Sequence, residues 1–134
     1  MIEDGLFADF PADAVFAMHN IPGMPAGHFA TRSGAMTASE ALFEITISAR
    51  GGHAALPHMG VDAILVGAEL VTSLQSIVAR KLDPAQHAVV SVTEFITDGK
   101  RNVLPGHAVL KGDARALSHE TNLAIETHTR QLAK

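Results

Sequence analysis

Two histidine-bearing segments are the parts of this sequence most able to do chemistry. Residues 50–58, RGGHAALPH, follow an alternating strand pattern and place His53 directly after two glycines. Residues 15–20, VFAMHN, bring His19 to the end of an apolar run. Glycines let the backbone approach another group closely, and a neutral imidazole can bind a metal or exchange a proton. Neither segment forms a site alone, but together they favour one portion of a metal-dependent hydrolytic site.

Three segments after residue 38 are expected to be strands and to position these histidines. Residues 43–48 alternate apolar and polar side chains, which is the period of a half-buried strand. Residues 88–97 are rich in β-branched types, and residues 108–117 alternate again. The Asp98-Gly99 pair is a turn signal, so the last two strands are expected to follow each other closely.

Two helices are expected beside these strands. The first runs from Ala63 to Arg80 with Asp62 as its N-cap. Its predicted core stripe consists of Ile64, Leu65, Ala68, Val71, Leu74, Ile77 and Val78. The second begins after Ser118, a suitable N-cap, and Glu120 in its first turn suits the helix dipole.

The element order is therefore β-α-β-β-α, which predicts an α+β fold. One more strand would complete a ferredoxin-like β-α-β-β-α-β two-layer sandwich. Without that strand, either one edge of the sheet lies open or a neighbouring chain covers it.

The first 38 residues give less regular predictions. We expect residues 1–7 to be the tail of a helix ended by a glycine, residues 13–19 to be a short buried strand and residues 28–32 to be another extended piece. These pieces are too short to pack into a domain alone.

Composition excludes several functions. The 134 residues fit one domain, or one domain plus part of another, and the 47% hydrophobic content can bury a core. The net charge of −4, without a basic stripe, argues against nucleic-acid binding. The apolar runs are far shorter than the roughly 20 residues of a membrane span. The absence of cysteine excludes disulfides and thiolate zinc sites, and a cytoplasmic location is the default expectation.

Several segments in register resemble the bacterial hippurate hydrolases: residues 1–7, 13–20, 22–27, 50–58 and 102–105. The chain is also similar to plant indole-acetyl-amino-acid hydrolases and to the wider aminoacylase–carboxypeptidase family of metal-dependent amidohydrolases. The resemblance implies a metal-binding catalytic domain with a smaller lid, or dimerisation, domain inserted into it. It assigns residues 1–38 to a remnant of the α/β catalytic domain and residues 39–134 to the lid, which is incomplete at its C-terminus.

The same resemblance implies roles for four side chains. His19 matches a metal-ligand histidine. His53 matches a lid histidine that reaches the active site of the partner subunit and polarises the scissile carbonyl. Asn102 and Arg115 match positions that bind the substrate, often its carboxylate.

Each of these residues also has an ordinary structural interpretation. His19 can be a strand-end histidine, and His53 can be a loop histidine that caps the following helix. Asn102 can hydrogen-bond its own turn, and Arg115 can be a solvated strand residue.

The resemblance implies an intact enzyme that hydrolyses N-acyl amino acids as a homodimer with two divalent metal ions, zinc, manganese or cobalt. The family's other metal motifs and its catalytic glutamate pair are expected before residue 1, and its final histidine ligand after residue 134. We therefore expect this chain alone to bind no metal and to be inactive. The alternative is a stand-alone dimerising α+β interaction module without catalysis.

Overall fold

The structure of the chain is a computed structural model that describes residues 1–134. The chain divides into two compact units, Met1–Thr31 and Arg32–Lys134. The first unit contains one short helix, α1 (Leu6–Asp9), and otherwise turns and irregular backbone.

Two predictions for this part of the chain were wrong. Helix α1 begins directly after Gly5, whereas a helix ending at this glycine was expected. Residues 13–19 are exposed and form no strand. A strand requires a neighbour to take its backbone hydrogen bonds, and this segment has none. The extended piece expected at residues 28–32 stays a prediction. The assignment of residues 1–38 to a catalytic domain stays a prediction.

The second unit carries the remaining elements. In chain order they are β1 (Ser39–Ser48), β2 (Gly52–His53), α2 (Ala63–Ser76), β3 (Ala88–Thr97), β4 (Val103–Leu104), β5 (His107–Ala116) and α3 (His119–Leu132). Strands β2 and β4 form a separate two-stranded ladder. The predicted α+β class and the order of the long elements are confirmed.

The main sheet has the strand order β1-β5-β3. Both β1 and β3 pair antiparallel with β5, so they run parallel to each other with β5 between them. This is the arrangement of a split β-α-β unit, in which α2 makes the crossover. No fourth long strand is among the 134 residues, so the ferredoxin-like detail stays a prediction.

The helices pack on one face of this sheet. Alternation along β5 buries Ala108, Leu110, Ala114 and Ala116 on that face, as predicted for this strand. The most completely buried large side chains are Leu74 and Ile77 of the crossover segment and Leu110 of β5, and they meet Ile125 of α3 in one core. The core therefore lies between one sheet face and two helices.

Helix α2 begins where the sequence predicted. The Asp62 Oδ1 accepts hydrogen bonds from the amides of Ile64 at 2.8 Å and Leu65 at 3.4 Å, which satisfies two free donors of the first turn. The helix continues as a π-helical turn over Ile77–Lys81. The predicted N-cap is confirmed.

The predicted core stripe of α2 was partly wrong. Leu74 and Ile77 are buried, but Ile64, Leu65 and Val78 are exposed. The helix residues that are buried are Ala63, Gly67, Leu70 and Leu74. Gly67 explains why the buried face differs from the predicted one. A Cβ at this position would lie 2.5 Å from the ring of Phe95, so only a glycine lets Phe95 pack against this face of the helix.

Residues Ala63–Lys81 are long and apolar enough to cross a membrane by length and composition alone. Core helices of globular domains meet the same criterion. Here Leu70, Leu74 and Ile77 pack against the sheet, which is how the crossover helix of a two-layer domain behaves.

Candidate active-site loop

The loop that carries His53 is joined by backbone hydrogen bonds to the turn that carries Asn102. His53 of β2 lies opposite Val103 of β4. One residue further, the Ala54 amide donates to the Asn102 carbonyl at 3.0 Å. The Ala49 amide donates to the Gly106 carbonyl at 2.8 Å, so both segments leave the same end of the sheet. Two of the four predicted site residues are thus brought together.

Glycines allow this close approach. A Cβ on Gly51 would lie 2.4 Å from the backbone oxygen of Leu104 and 2.8 Å from the nitrogen of Gly106. A Cβ on Gly60 would lie 2.8 Å from the Arg50 carbonyl oxygen. Both clashes are with backbone, which cannot rotate away as a side chain could. The sequence inference that these glycines bring backbone close to another group is supported at Gly51.

A backbone amide selects the tautomer of the neutral His53 imidazole. Its Nδ1 accepts a hydrogen bond from the Ala55 amide at 3.1 Å. An amide can only donate, so Nδ1 carries the lone pair and the neutral ring carries its proton on Nε2. The side chain is exposed. His53 therefore presents an N–H donor to whatever approaches the loop.

Asn102 lies at the tip of a tight hairpin turn. The amide of Lys100 donates to the carbonyl of Val103 at 3.2 Å, and the reverse bond measures 3.0 Å. Backbone groups therefore make the hydrogen bonds that close the turn. The exposed Asn102 side chain has an amide that can donate to a carboxylate or carbonyl.

Arg115 lies elsewhere. It is about 26 Å along β5 from His107, at a rise of about 3.3 Å per residue, and thus near the strand end opposite the His53 loop. Its Nη2 lies 2.5 Å from Glu40 Oε1 and its Nε 2.7 Å from Asp113 Oδ2. The pKa of Arg115 is raised, first by its hydrogen bond with Asp113 and then by the charges of Asp113 and Glu40. The structure does not bring Arg115 to His53, and its substrate role stays a prediction.

His19 lies in the first compact unit and is exposed. Its Nδ1 is 2.7 Å from the carbonyl oxygen of Asn20. A carbonyl only accepts, so the neutral ring carries its proton on Nδ1 and leaves the Nε2 lone pair free. Metal-binding histidines commonly have this arrangement, in which a backbone carbonyl orients the ring. The chemistry of this side chain therefore fits a ligand.

One ligand does not make a metal centre. No group of three or more histidine, aspartate or glutamate side chains in the chain is arranged to hold a metal ion. His19 is the one predicted site residue with a ligand role, and the involvement of a metal ion stays a prediction.

Sequence reasoning gave no role to two groups that shape this loop. The amide of Ala55 binds the His53 ring, and the Arg50 side chain donates to the Met59 carbonyl at 2.6 Å. An arginine directly before the glycine pair was the available signal for the second, whereas a backbone amide leaves no trace in residue types.

These features define a class: a small α+β domain whose sheet has two open edges and whose histidine loop stands at one end. The chain belongs to the peptidase dimerisation domain family, whose sequence profile matches residues 39–134.

Two relatives with curated names are hydrolytic enzymes. The whole chain is 40% identical to hippurate hydrolase of Campylobacter jejuni, of which it covers 35%. It is 35% identical to N-acetyldiaminopimelate deacetylase of Brevibacillus brevis, of which it covers 36%. The chain thus spans about a third of the length of the curated relatives it matches. The predicted relationship to hippurate hydrolases is confirmed.

A solved structure of a similar protein shares this fold. The chain superimposes on a crystal structure described as that of an aminohydrolase from methicillin-resistant Staphylococcus aureus, with a TM-score of 0.73 and 36% identity. The match covers 75% of this chain and 27% of the other.

Proposed function

We propose that this chain is the lid and dimerisation part of a metal-dependent amidohydrolase that cleaves N-acyl amino acids such as hippurate. The observation that carries the proposal is His53, an exposed imidazole fixed as an Nε2–H donor on a loop at the end of the sheet. Relatives named for the hydrolysis of hippurate and the deacetylation of N-acetyldiaminopimelate support the substrate class.

The chemistry requires such a donor. When water attacks an amide, negative charge develops on the carbonyl oxygen, and a preorganised N–H aimed at it lowers the barrier. The role of His53 in this proposal is to donate from Nε2 to that oxygen in the active site of a partner subunit. The adjacent Asn102 amide is proposed to bind the substrate carboxylate, which would place both contacts on one rigid unit.

His19 is proposed to contribute one ligand through its free Nε2. Divalent metal ions bound in the intact enzyme would lower the pKa of the attacking water. This chain's part is to orient the imidazole through the Asn20 carbonyl, with the proton held on Nδ1.

We further propose a homodimer that pairs through the edge of β3. The sheet has two open edges, β1 and β3. The β1 edge carries Glu40 and Glu44, and charges on an edge strand oppose pairing. The β3 edge has one exposed acidic residue, Glu94, and three exposed large apolar side chains, Val89, Phe95 and Ile96, whereas β1 exposes only one, Leu42. An exposed apolar edge is the kind of surface that a second strand covers.

A chimeric enzyme tests the catalytic proposal. Residues 1–134 would replace the aligned third of the Campylobacter jejuni hippurate hydrolase, and hippurate cleavage would be measured with zinc, manganese or cobalt. We expect an active chimera in which His53→Ala lowers kcat by about 100-fold or more, the usual cost of removing an oxyanion donor. Asn102→Ala should mainly raise KM. His28→Ala, an exposed histidine outside the loop, is the matched control and should change neither value.

An active chimera whose kcat is indifferent to His53→Ala would contradict the role of His53. The alternative function is a stand-alone dimerising module without catalysis, which the two open edges also favour. A chimera whose turnover depends on His53 would distinguish the two in favour of the enzyme, and assay of the 134-residue chain by itself tests whether it is active alone. We expect no turnover of N-acyl amino acids with added metal, and a solution mass above that of the monomer. Metal-dependent turnover by the chain alone would exclude the stand-alone module.

A further inference from the structure

Arg50 closes the loop around His53 through its guanidinium and through its backbone carbonyl. The Arg50 guanidinium donates through Nη2 to the carbonyl of Met59 at 2.6 Å. The Arg50 carbonyl accepts from the amide of Val61 at 2.7 Å. Residues 51–58, including His53, therefore lie in a segment whose base is fixed by a single arginine. Residue 60 must be a glycine here, because a Cβ at this position would lie 2.8 Å from the Arg50 carbonyl oxygen.

Inside the closed loop, His53 begins a tight turn. The Leu56 amide donates to the His53 carbonyl at 2.9 Å, and the Ala55 amide donates to the His53 ring at 3.1 Å. The ring nitrogen thus receives the amide two residues ahead, as an aspartate or asparagine oxygen does in an Asx-turn. The Met59 amide then bonds to the Leu56 carbonyl at 3.1 Å, which links this turn to the segment that Arg50 holds.

We propose that Arg50 is a positioning residue for His53: by closing loop 50–61 it keeps the Ala55 amide on Nδ1 and the proton on Nε2. This inference rests on the proposed role of His53 as a donor. The bond from a charged guanidinium to a carbonyl is stronger than a neutral one, which suits a clamp on an exposed loop. Arg50 touches no reacting group, so its effect on chemistry passes through the orientation of the ring.

The arrangement can be measured in the 134-residue chain without any assay of activity. Long-range proton–nitrogen spectra of the ¹⁵N-labelled chain report which imidazole nitrogen carries the proton, and His53→Gln identifies its signals among the eight histidines. At a pH where the ring is neutral, we expect His53 to carry its proton on Nε2 and the Ala55 amide to be protected from exchange. A His53 protonated on Nδ1 would overturn the proposal.

Variants of Arg50 test its part. We expect Arg50→Met to reduce the protection of the Ala55 amide by about tenfold or more, since local opening sets the exchange of loop amides. The Arg50→Met variant should also populate the His53 tautomer that carries its proton on Nδ1. Arg50→Lys keeps a cationic donor and should restore most of the protection. Arg80→Met is the matched control, because Arg80 bonds only to the adjacent Ala79 carbonyl. The amides of β5 should be unchanged in every variant.

Arg50→Met with the same tautomer and the same Ala55 exchange as the parent would overturn the proposal. If that variant does not fold, Arg50→Ala removes the same donor with a smaller side chain, and unchanged exchange of the Ala55 amide in it would overturn the proposal. The proposed hydrolytic function can fail independently, since an inactive chimera leaves these spectra unaffected.

Discussion

The backbone carbonyl of Asn102 accepts a hydrogen bond from the amide of Ala54 at 3.0 Å, directly beside His53. This bond extends the β2–β4 ladder by one step, so the His53 loop and the Asn102 turn form one unit. A unit of this kind can present two side chains to one ligand with a fixed spacing. Its integrity depends on how closely the two segments approach.

Gly51→Ala should separate the two segments. The added methyl would lie 2.4 Å from the Leu104 carbonyl oxygen, a contact that only backbone movement can relieve. We expect a loss of about 1–3 kcal/mol in the free energy of unfolding, typical of overpacking. Urea denaturation measures the loss, and the amide shifts of Ala54 and Asn102 report the separation.

Gly52→Ala is the matched control for that substitution. Nothing lies within 4 Å of a Cβ built on Gly52, and its φ is not positive. We expect a change within about 0.5 kcal/mol, as for surface positions without special contacts. Equal effects of the two alanines would show that the close approach of Gly51 to Leu104 is not what joins the segments.

Arg115→Met should weaken the fold slightly and in a salt-dependent manner. Its partners Glu40 and Asp113 lie on the open sheet face, and ion pairs exposed to water contribute little. The same change in the chimera tests the substrate role: a raised KM for hippurate, with no more than this slight loss of thermal stability, would support it. A loss of stability alone would assign Arg115 to the ion-pair cluster.

The pH dependence of that cluster has a definite sign. The pKa of Arg115 is raised in the folded chain, first by the hydrogen bond with Asp113 and then by the two carboxylate charges. A raised folded-state pKa gives stabilisation that is complete below the unfolded pKa and lost only as pH rises through the folded one. Arginine titrates far above neutrality, so the stability difference between parent and Arg115→Met should be flat from neutral to mildly alkaline pH. Thermal unfolding at several pH values measures it.

The long elements were predictable because their signals are local. Neighbouring residues show the alternation in β1 and β5 and the helix caps at Asp62 and Ser118. The structure confirms each of them. The face of α2 was not predictable in this way. It depends on Phe95, which is 28 positions from Gly67 in sequence and packs onto that glycine.

The candidate site was likewise predictable only in part. The glycine pair before His53 indicated a close backbone approach, and Gly51 makes one. The tautomers of His19 and His53 could not be predicted, because a carbonyl orients one ring and an amide the other. Both partners are backbone groups, whose positions follow from turn geometry and not from residue type.

Leu74→Ala should be strongly destabilising. Leu74 has no exposed surface and packs with Leu110 and Ile125 in the core. Truncating a fully buried leucine leaves a cavity in the core, so we expect a loss of about 2–5 kcal/mol in the free energy of unfolding. Leu123→Ala on α3 removes the same atoms from a half-exposed position and should cost less than about 1 kcal/mol. Chemical denaturation of both variants gives the comparison, and similar losses would place the core elsewhere.

Spin labels can identify the edge at which two copies pair. The chain has no cysteine, so Thr46→Cys on β1 and Thr93→Cys on β3 each introduce a single attachment point on an exposed residue of an edge strand. If two β3 strands pair, the sheet continues across the dimer in the order β1-β5-β3-β3-β5-β1. At about 4.8 Å between strands, the two β1 edges would then be about 24 Å apart in the pairing direction.

We therefore expect a short distance between labels at position 93 and a long one between labels at position 46, measured by pulsed electron paramagnetic resonance. The reverse pattern would place the contact at β1, where Glu40 and Glu44 would have to be accommodated beside a second strand. Dilution should remove the short distance, because the pairing is between separate chains. The solution mass of the same sample gives the number of chains, and a short distance at position 93 found only in species larger than a dimer would count against a defined β3 dimer.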